Sequence, residues 1–512
     1  MKMIQFKYAI ISAAFLLGGM TTGCDTLDID NLETYDESMV WGDLNLAQAY
    51  VNNLYEECFE GWSVSADQNS DQVTGIPWYL GTITETGDSY KKWDYTKIRH
   101  INEAIFKLES SVIEDKKAVD FMLGQAYFMR AYMYYWMVLH HGGVPYLKVP
   151  QDKDKDDLYV KRNSTPECFQ FMIEDLDHAI SLLPAKIAGS SSDYGRIDQC
   201  FAKSWKAKTL LLKASPQFNP KRMYDNAYWK EAYVAAKEAY DFCVQNGIAL
   251  TENPADIWLQ ERGPEVIFPV IYSNPNRVAT WEYGTRPASV SRDKPYHNPT
   301  WEFVKDFPML DGKRYDDPTG KYYVGDEQAL LKAFWKNRDP RFNRACLYNG
   351  REWPVAGRSA DNRMYNALGV SNADDQYGVN PNAGVNAEAA NENGHSDVAI
   401  DLLKQIRKRA GIEAGADGLY GLKIGSREEI RQAILDERHI ELCYEGHRFW
   451  DLRRTRNMMM LAGWTKHGIE AIAVNPDGSD MDLNVARDRI AKNPNLEQNN
   501  NWGGTFNPTM EQ

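Results

Sequence analysis

Apolar positions recur three and four residues apart through the first half of the chain, and this spacing predicts helices rather than strands. Between Asp120 and His141 the residues Leu123, Ala126, Tyr127, Ala131, Tyr134, Tyr135 and Val138 keep that register. Most intervening positions are apolar too, so this helix must be packed on several sides. Gly142-Gly143-Val144-Pro145 stops it. A second helix is expected from Ser164-Thr165-Pro166-Glu167, which offers a serine cap, a glutamate three residues on and a proline in the first turn. It carries Phe169, Ile173, Leu176, Ile180 and Leu183 to the break at Pro184. A third passes through Ala202, Trp205, Thr209 and Leu212 to Pro216, and a fourth runs from Trp229 to Cys243 with Ala232, Ala236, Ala239 and Tyr240, ending at Gly247.

These four read as two helix pairs. Small alanines for helix crossings, Trp or Tyr as wedges, and a Gly or Pro after each helix are the ingredients of tetratricopeptide repeats, here spaced more loosely than a strict 34-residue period. Such pairs bury their faces only by stacking, so more are expected. The helical pattern returns at Ala387–Glu392, Ser396 to Ala410 and Ser426 to about Arg456, with Ser426-Arg427-Glu428-Glu429 as a capping box. Between the two regions Pro, Gly, Asn and aromatics rise and periodicity is lost, and Val266-Ile267-Phe268 stands as an isolated strand-like piece. The expected fold is mainly α: about four tetratricopeptide-like helix pairs and an irregular, loop-rich second lobe of loops, short helices and a hairpin. The boundaries fall at 1–23 for a signal peptide, 24–45 for a linker, 46–247 for the first helical region, 248–386 for the irregular lobe, 387–456 for the second helical region and 457–512 for a tail packed on the scaffold.

Length and charge narrow the reading. At 512 residues the chain exceeds the roughly 250 to 300 at which a single core stops growing. With 72 acidic against 58 basic residues its net charge is −14, which argues against nucleic acid as a partner. The N-terminus has Lys2 and Lys7, an apolar run from Ala9 to Leu17 and small residues before Cys24, the pattern of a signal peptide. Met20-Thr21-Thr22-Gly23-Cys24 resembles the bacterial lipobox, with Thr21 where Leu or Val is usual. Cys24 would then carry the lipid and tether the protein to a membrane, more than one acyl chain being needed for a stable anchor. The competing reading is an ordinary secretory signal with an incidental cysteine. Asp25, Asp28, Asp30 and Glu33 make the linker acidic, a feature that in some bacterial phyla accompanies export to the cell surface. No internal stretch is long and apolar enough for a membrane span. Cys58, Cys168, Cys200, Cys243, Cys346 and Cys443 show no CxxC or zinc spacing and are expected to be buried small hydrophobes.

Glu437, Glu441 and Glu445 fall at i, i+4 and i+8 and would form a stripe of carboxylates on one helix. Glycosidases place their two carboxyls on opposite sides of the scissile bond, whereas neighbours four apart approach from one side. With Arg438, Arg448, Arg453, Arg454 and Asp451 beside them, the expected role is a structural ion network of Glu437, Arg438, Glu441, Glu445, Arg448 and Asp451, in which Glu441 and Arg448 pair. His439 has no second histidine at ligand spacing, so no metal site is expected. His140 and His141 suit a cation at a helix C-terminus. No phosphate loop, nucleophile elbow or HExxH is present, and no cofactor is implied. Aromatics in loop-like sequence remain: Trp78, Tyr79, Trp281, Tyr283, Tyr296 and Trp301, flanked by Asn, Asp and Arg. Sugar rings stack on such side chains, while core packing is the competing role for each; Trp93 looks structural.

Several stretches, in order, resemble the SusD/RagB family of surface lipoproteins. The segment Ile434 to Arg454, ILDERHIELCYEGHRFWDLRR, is close to the family pattern E-R-x-x-E-L-x-x-E-G-x-R-x-x-D-L-x-R. It is accompanied by Gln125 to Ala131 with Gly143-Val144-Pro145, by Asp339-Pro340-Arg341-Phe342, by Ala387 to Glu392, by Ile406 to Gly411 and by Asn493 to Asn499. The resemblance implies a non-enzymatic protein on the outer membrane that captures a nutrient, an oligosaccharide first of all, and delivers it to a SusC-like TonB-dependent transporter. A peptide- or protein-binding lid of such a transporter and a surface glycan hydrolase are the alternatives. Two departures stand out: Asn366 to Asn386 is rich in Asn, Gly and Ala where the family carries a longer helix, which is expected to be shortened or missing, and Val485 to Ile490 replaces a Pro-Ile-Pro strand.

Overall fold

Fifteen to twenty-six residues is the usual length of the main helices, and most of their ends are written in the local sequence. The computed structural model describes residues 37–61, 70–73, 91–253, 257, 260–273, 275–278, 299–333, 336–346, 366–367, 370–371, 382–461, 479 and 482. In the first helical region α1 spans Glu37–Gly42, α2 Leu44–Cys58, α3 Tyr95–Glu109, α4 Lys116–His141, α5 Thr165–Leu182, α6 Gln199–Ala214 and α7 Tyr228–Gln245. Helix α4 starts one turn earlier than its apolar periodicity, because Asp115 caps it by accepting from the Ala118 N–H and the two lysines that follow carry no apolar signal. Helix α5 begins at a complete capping box: Ser164 accepts from the Glu167 N–H, and Glu167 accepts from the Ser164 N–H at 2.7 Å.

Helix α4 is buried nearly all round, with Met122, Ala126, Phe128, Met129, Tyr134, Met137 and Val138 at 1% exposure or less. Helices α3 and α5 flank it, α6 packs on α5, and α7 packs on α6, so the pairs stack in chain order. A second stack is built by α11 (Asn382–Glu392), α12 (Ser396–Ala410) and α13 (Arg427–Glu441), and α11 also packs against α7. Small side chains make that joint. Ala389 joins Trp229, Ala232 and Ala236 in one apolar cluster, while Ala387 and Ala390 face the α12–α13 side. The fold is therefore mainly α, as expected.

Three expectations need correction. The helix from Ser426 to about Arg456 is broken: α13 ends at Glu441, and α14 covers His447–Arg454. Between them Tyr444 (φ 63°) and Gly446 (φ 75°) adopt left-handed backbone, which no α-helix accommodates. Only the Ser426 half of its capping box is formed, Ser426 accepting from the Glu429 N–H at 3.1 Å. Val266-Ile267-Phe268 belongs to no strand; Phe268 instead stacks on Phe201 of α6, with ring centroids 4.3 Å apart and planes 5° apart. The irregular lobe contributes the short helices α8 (Trp301–Asp306), α9 (Glu327–Ala333) and α10 (Pro340–Ala345), and β1 (Asn366–Ala367) pairs antiparallel with β2 (Val370–Ser371). Upstream of Ala387 the helix is short, beginning at Asn382.

Candidate functional site

The segment with the strongest sequence signal proves to be a hub for buried charge. Arg341, at the start of α10, reaches between the two α13 carboxylates, and its Nη1 donates to Glu437 Oε1 at 2.6 Å and Glu441 Oε2 at 2.7 Å. Its other side donates to Asp339, the N-cap of α10. Arg407 of α12 donates to Glu437 Oε2 at 2.7 Å, and Arg409 bridges Glu441 to Glu265. Burial alone would raise the Glu437 carboxyl, but Arg341 and Arg407 outweigh it and hold the group below the ordinary glutamate range. A second knot centres on Asp451, which accepts from Arg438 Nε and Arg454 Nε at 2.8 Å each, and Arg454 also engages Glu388 of α11. Burial opposes the Asp451 charge as well, and the two guanidinium groups overcome it.

The expected Glu441–Arg448 pair does not form. Arg448 donates instead to Asp71, at 2.9 Å from Nε and 2.7 Å from Nη2. Glu445 lies beyond the end of α13, so it is not on the carboxylate stripe, and it approaches His447 at 3.8 Å. His140 does not carry the expected charge at the end of α4: burial pushes its imidazole down to about 4, and its Nδ1 bonds the Trp136 carbonyl at 2.7 Å. His141 accepts from the Lys92 N–H and stacks against Trp93 with planes 3° apart. The six described cysteines are buried free thiols. Among the described residues no cluster of His, Cys, Asp and Glu is arranged to hold a metal, and no helix is long and apolar enough to cross a membrane.

What this hub anchors bears on the aromatics. Residues 70–73 lie against α13, where Gln72 Nε2 donates to the His439 carbonyl at 2.9 Å while Arg448 grips Asp71. The Thr300 N–H donates to the Gln72 carbonyl at 3.0 Å, the Thr300 hydroxyl donates to the Asp71 carbonyl at 2.5 Å, and Val73 bridges Pro299. The chain thus enters 74–90 and returns from 279–298 at one pinned spot. Trp78, Tyr79, Trp281, Tyr283 and Tyr296 themselves lie outside the described residues, as does Cys24. Trp301 must be withdrawn as a surface platform: it opens α8, is 1% exposed, and packs with Phe303, Phe307 and Phe342 in the core of the irregular lobe.

One group of residues escaped the sequence reading. Trp205 of α6 packs near Trp136 of α4, which in turn meets Trp450 of α14, and Lys208 Nζ lies 4.7 Å from the Trp205 ring centroid. Helical spacing reads Trp205 as core, and nothing in the sequence says that a lysine one turn later folds back over its ring.

Comparison with known proteins agrees with this architecture. Residues 264–384 and 385–502 match the SusD family, and residues 47–194 match a family described as starch-binding and associating with the outer membrane. A SusD-like protein of Formosa agariphila is 24% identical over 509 residues, covering 90% of this chain and 94% of that one. Two solved structures from Bacteroides fragilis share the fold. One, a SusD-like protein, has a TM-score of 0.66 at 21% identity and covers 86% of this chain and 91% of its own. The other, a SusD-like carbohydrate binding protein, has a TM-score of 0.63 at 17% identity, covering 84% and 89%. With the charged motif at Glu437–Arg454 buried as the hub of a helical stack, and both halves of the chain matched, this protein belongs to the SusD/RagB family.

Proposed function

We propose that this chain is a non-catalytic, lipid-anchored protein of the outer membrane that captures an oligosaccharide and passes it to a SusC-like TonB-dependent transporter. The observation that carries the reading is the pinning of residues 70–73 to Thr300 and α13, which brings Val73, where one aromatic-rich stretch of sequence begins, against Pro299, where another ends. Trp78, Tyr79, Trp281, Tyr283 and Tyr296 are the residues we assign to the ligand face, since aromatic rings with a few polar neighbours suit the flat C–H faces of sugars. The carboxylates that could have acted as acid and base are consumed by arginines: Glu437 and Glu441 each accept from two guanidinium groups. Both carboxylates are buried, 2% and 8% exposed, and Glu437 is held below the ordinary glutamate range by Arg341 and Arg407, the opposite of a general acid. The related Bacteroides fragilis protein described as carbohydrate binding supports the choice of a glycan.

Retention on a panel of immobilised neutral glycans, run beside a peptide library, tests the proposal. Retention of a glycan without release of shorter products is the expected result. Selective retention of peptides, or hydrolysis of a retained polymer, would replace it with another function.

A further inference from the structure

Helices α6 and α7 form an antiparallel hairpin, joined at one end by residues 215–227 and open at the other. Cys200 stands in the first turn of α6 and Cys243 in the last turn of α7, so both fall at the open end. They share a small apolar cluster with Ile248 and are 0% and 4% exposed. Cys243 Sγ lies 3.7 Å from the Cys200 carbonyl oxygen and 3.7 Å from the Ser204 hydroxyl, which donates to that same carbonyl at 2.7 Å. The Cys243 sulfur is thus seated on the first turn of α6, and a hydrogen bond joins the two thiols. Cys168 shows a different arrangement, its sulfur exchanging hydrogen bonds with the Val144 backbone.

Two thiols already in contact need little more than side-chain rotation to reach the bonded S–S separation of about 2.05 Å. The contact also sets which sulfur reacts first. It is the largest influence on both groups, raising the Cys200 thiol that donates and lowering the Cys243 thiol that accepts, and Ser204 acts on Cys243 in the same direction. Cys243 is therefore the sulfur that attacks.

We propose that Cys200 and Cys243 form a disulfide site, closing under oxidising conditions into an S–S bond that fastens the open end of the α6–α7 hairpin. The bond would close a loop of 43 residues and restrain α7, the helix on which α11 packs. The oxidant is a small-molecule or protein disulfide. The Cys243 thiolate attacks one of its sulfurs and expels the first thiol, and Cys200, giving up its proton, attacks the Cys243 sulfur of that mixed disulfide and expels the second. Two cysteine thiols lose two electrons and two protons in all, and one disulfide is reduced to two thiols. At 0% and 4% exposure neither sulfur meets such a reagent in the packed fold, so the exchange belongs to folding or to opening of the hairpin end. This site is independent of the glycan-capture reading.

Peptide mapping of the full chain tests it. The protein is unfolded in urea under reduction, refolded in a buffer of reduced and oxidised glutathione, quenched with acid and alkylated. Trypsin cuts after Arg196, Lys203, Lys237 and Arg262, which puts the two cysteines on separate peptides, 197–203 and 238–262. The expected product is the two peptides joined, lighter by two hydrogens than their sum and separated by reduction. Where refolding fails, folded protein held with oxidised glutathione just below its Tm should give the same product. The oxidised protein should also melt several degrees above the reduced one, and Cys200→Ala, which keeps a small apolar side chain, should abolish that difference. Full alkylation of both cysteines after oxidation, a cross-link from Cys243 to any other cysteine, or an equal redox shift in Tm in Cys200→Ala overturns the site.

Discussion

Arg341 shows what the carboxylate-rich motif is for. Its guanidinium touches Asp339, Glu437 and Glu441 at once and is 5% exposed, so neutralising one carboxylate removes charge-assisted hydrogen bonds where water cannot replace them. Glu441→Gln should therefore cost about 3 to 5 kcal/mol of unfolding free energy in urea titrations while ligand affinity stays within a few fold. A stable variant that loses binding would move Glu441 from the scaffold to the ligand face. The same groups set an acid limit. Glu437 and Asp451 have folded pKa values below their unfolded values, so the stability they contribute is present above an unfolded pKa of about 4 and is lost as pH falls through the folded ones. Asp198 and Asp436, raised by burial, pull the other way, but Asp71, Glu60 and Glu174 join Glu437 and Asp451 on the lowered side and outnumber them. His140 and His447, held neutral by burial with folded values of about 4 and about 3, add a loss that starts where unfolded imidazoles protonate, near about pH 6.5. Denaturant midpoints should therefore fall from about pH 7 downward and keep falling below about pH 4; a midpoint that rises on acidification would contradict the assignment. Residue types in this network were legible in the sequence, but their pairing was not. Asp71 lies 377 positions from Arg448, and spacing along a helix carries no information about a partner brought in by another element.

At the scale of elements, local chemistry spoke clearly where a cap or a stop was covalently close. Ser164, Pro166 and Glu167 define the start of α5, and Ser164→Ala should lower stability by about 1 kcal/mol, read as a small shift in the chemical denaturation midpoint. The break between α13 and α14 was hidden for the opposite reason. Leu442, Cys443 and Tyr444 keep apolar character across it, and Cys443 and Ile440 are recruited into the core around Trp301 and Phe303, so tertiary packing overrides the helical register. Trp301 was misread by the same logic, since Tyr296, Asn298 and Pro299 before it look like a loop while Thr300 caps a helix that turns the indole inward. A close backbone approach ties the irregular lobe to the second helical stack. Gly312 has φ +76°, and a Cβ there would stand 2.0 Å from the Tyr420 carbonyl oxygen. Gly312→Ala should cost about 1 to 2 kcal/mol for the left-handed backbone and about 1 to 3 kcal/mol more for displaced backbone. Limited proteolysis should then cut first in 309–325 or 412–425. Resistance equal to the wild type would mean that the two loops can separate freely.

For the whole molecule, charge and the aromatic segments together constrain what is captured and how. The chain carries −14 before any processing, and loss of a leader ending at Gly23 would remove two lysines and deepen that charge. An acidic body repels a polyanion at long range, over a screening length of about 8 Å at physiological ionic strength, whereas a neutral glycan meets no such force. Tethering through Cys24 would hold that body at the membrane, and Cys24→Ser should leave protein that no longer partitions with the outer membrane or takes up a fatty-acid probe. Affinity for a neutral oligosaccharide should then rest on stacking and uncharged hydrogen bonds. Calorimetry should find it weak and nearly unchanged from about 50 to about 500 mM salt, because screening acts on charge pairs and not on ring stacking. Within the two segments rooted at Val73 and Pro299, Trp281→Ala should reduce affinity at unchanged stability. Trp301→Ala should do the reverse, costing about 3 to 5 kcal/mol as a cavity in a filled core. Full glycan affinity in folded Trp281→Ala, or tight binding of an acidic polymer that salt abolishes, would place the ligand on a different face.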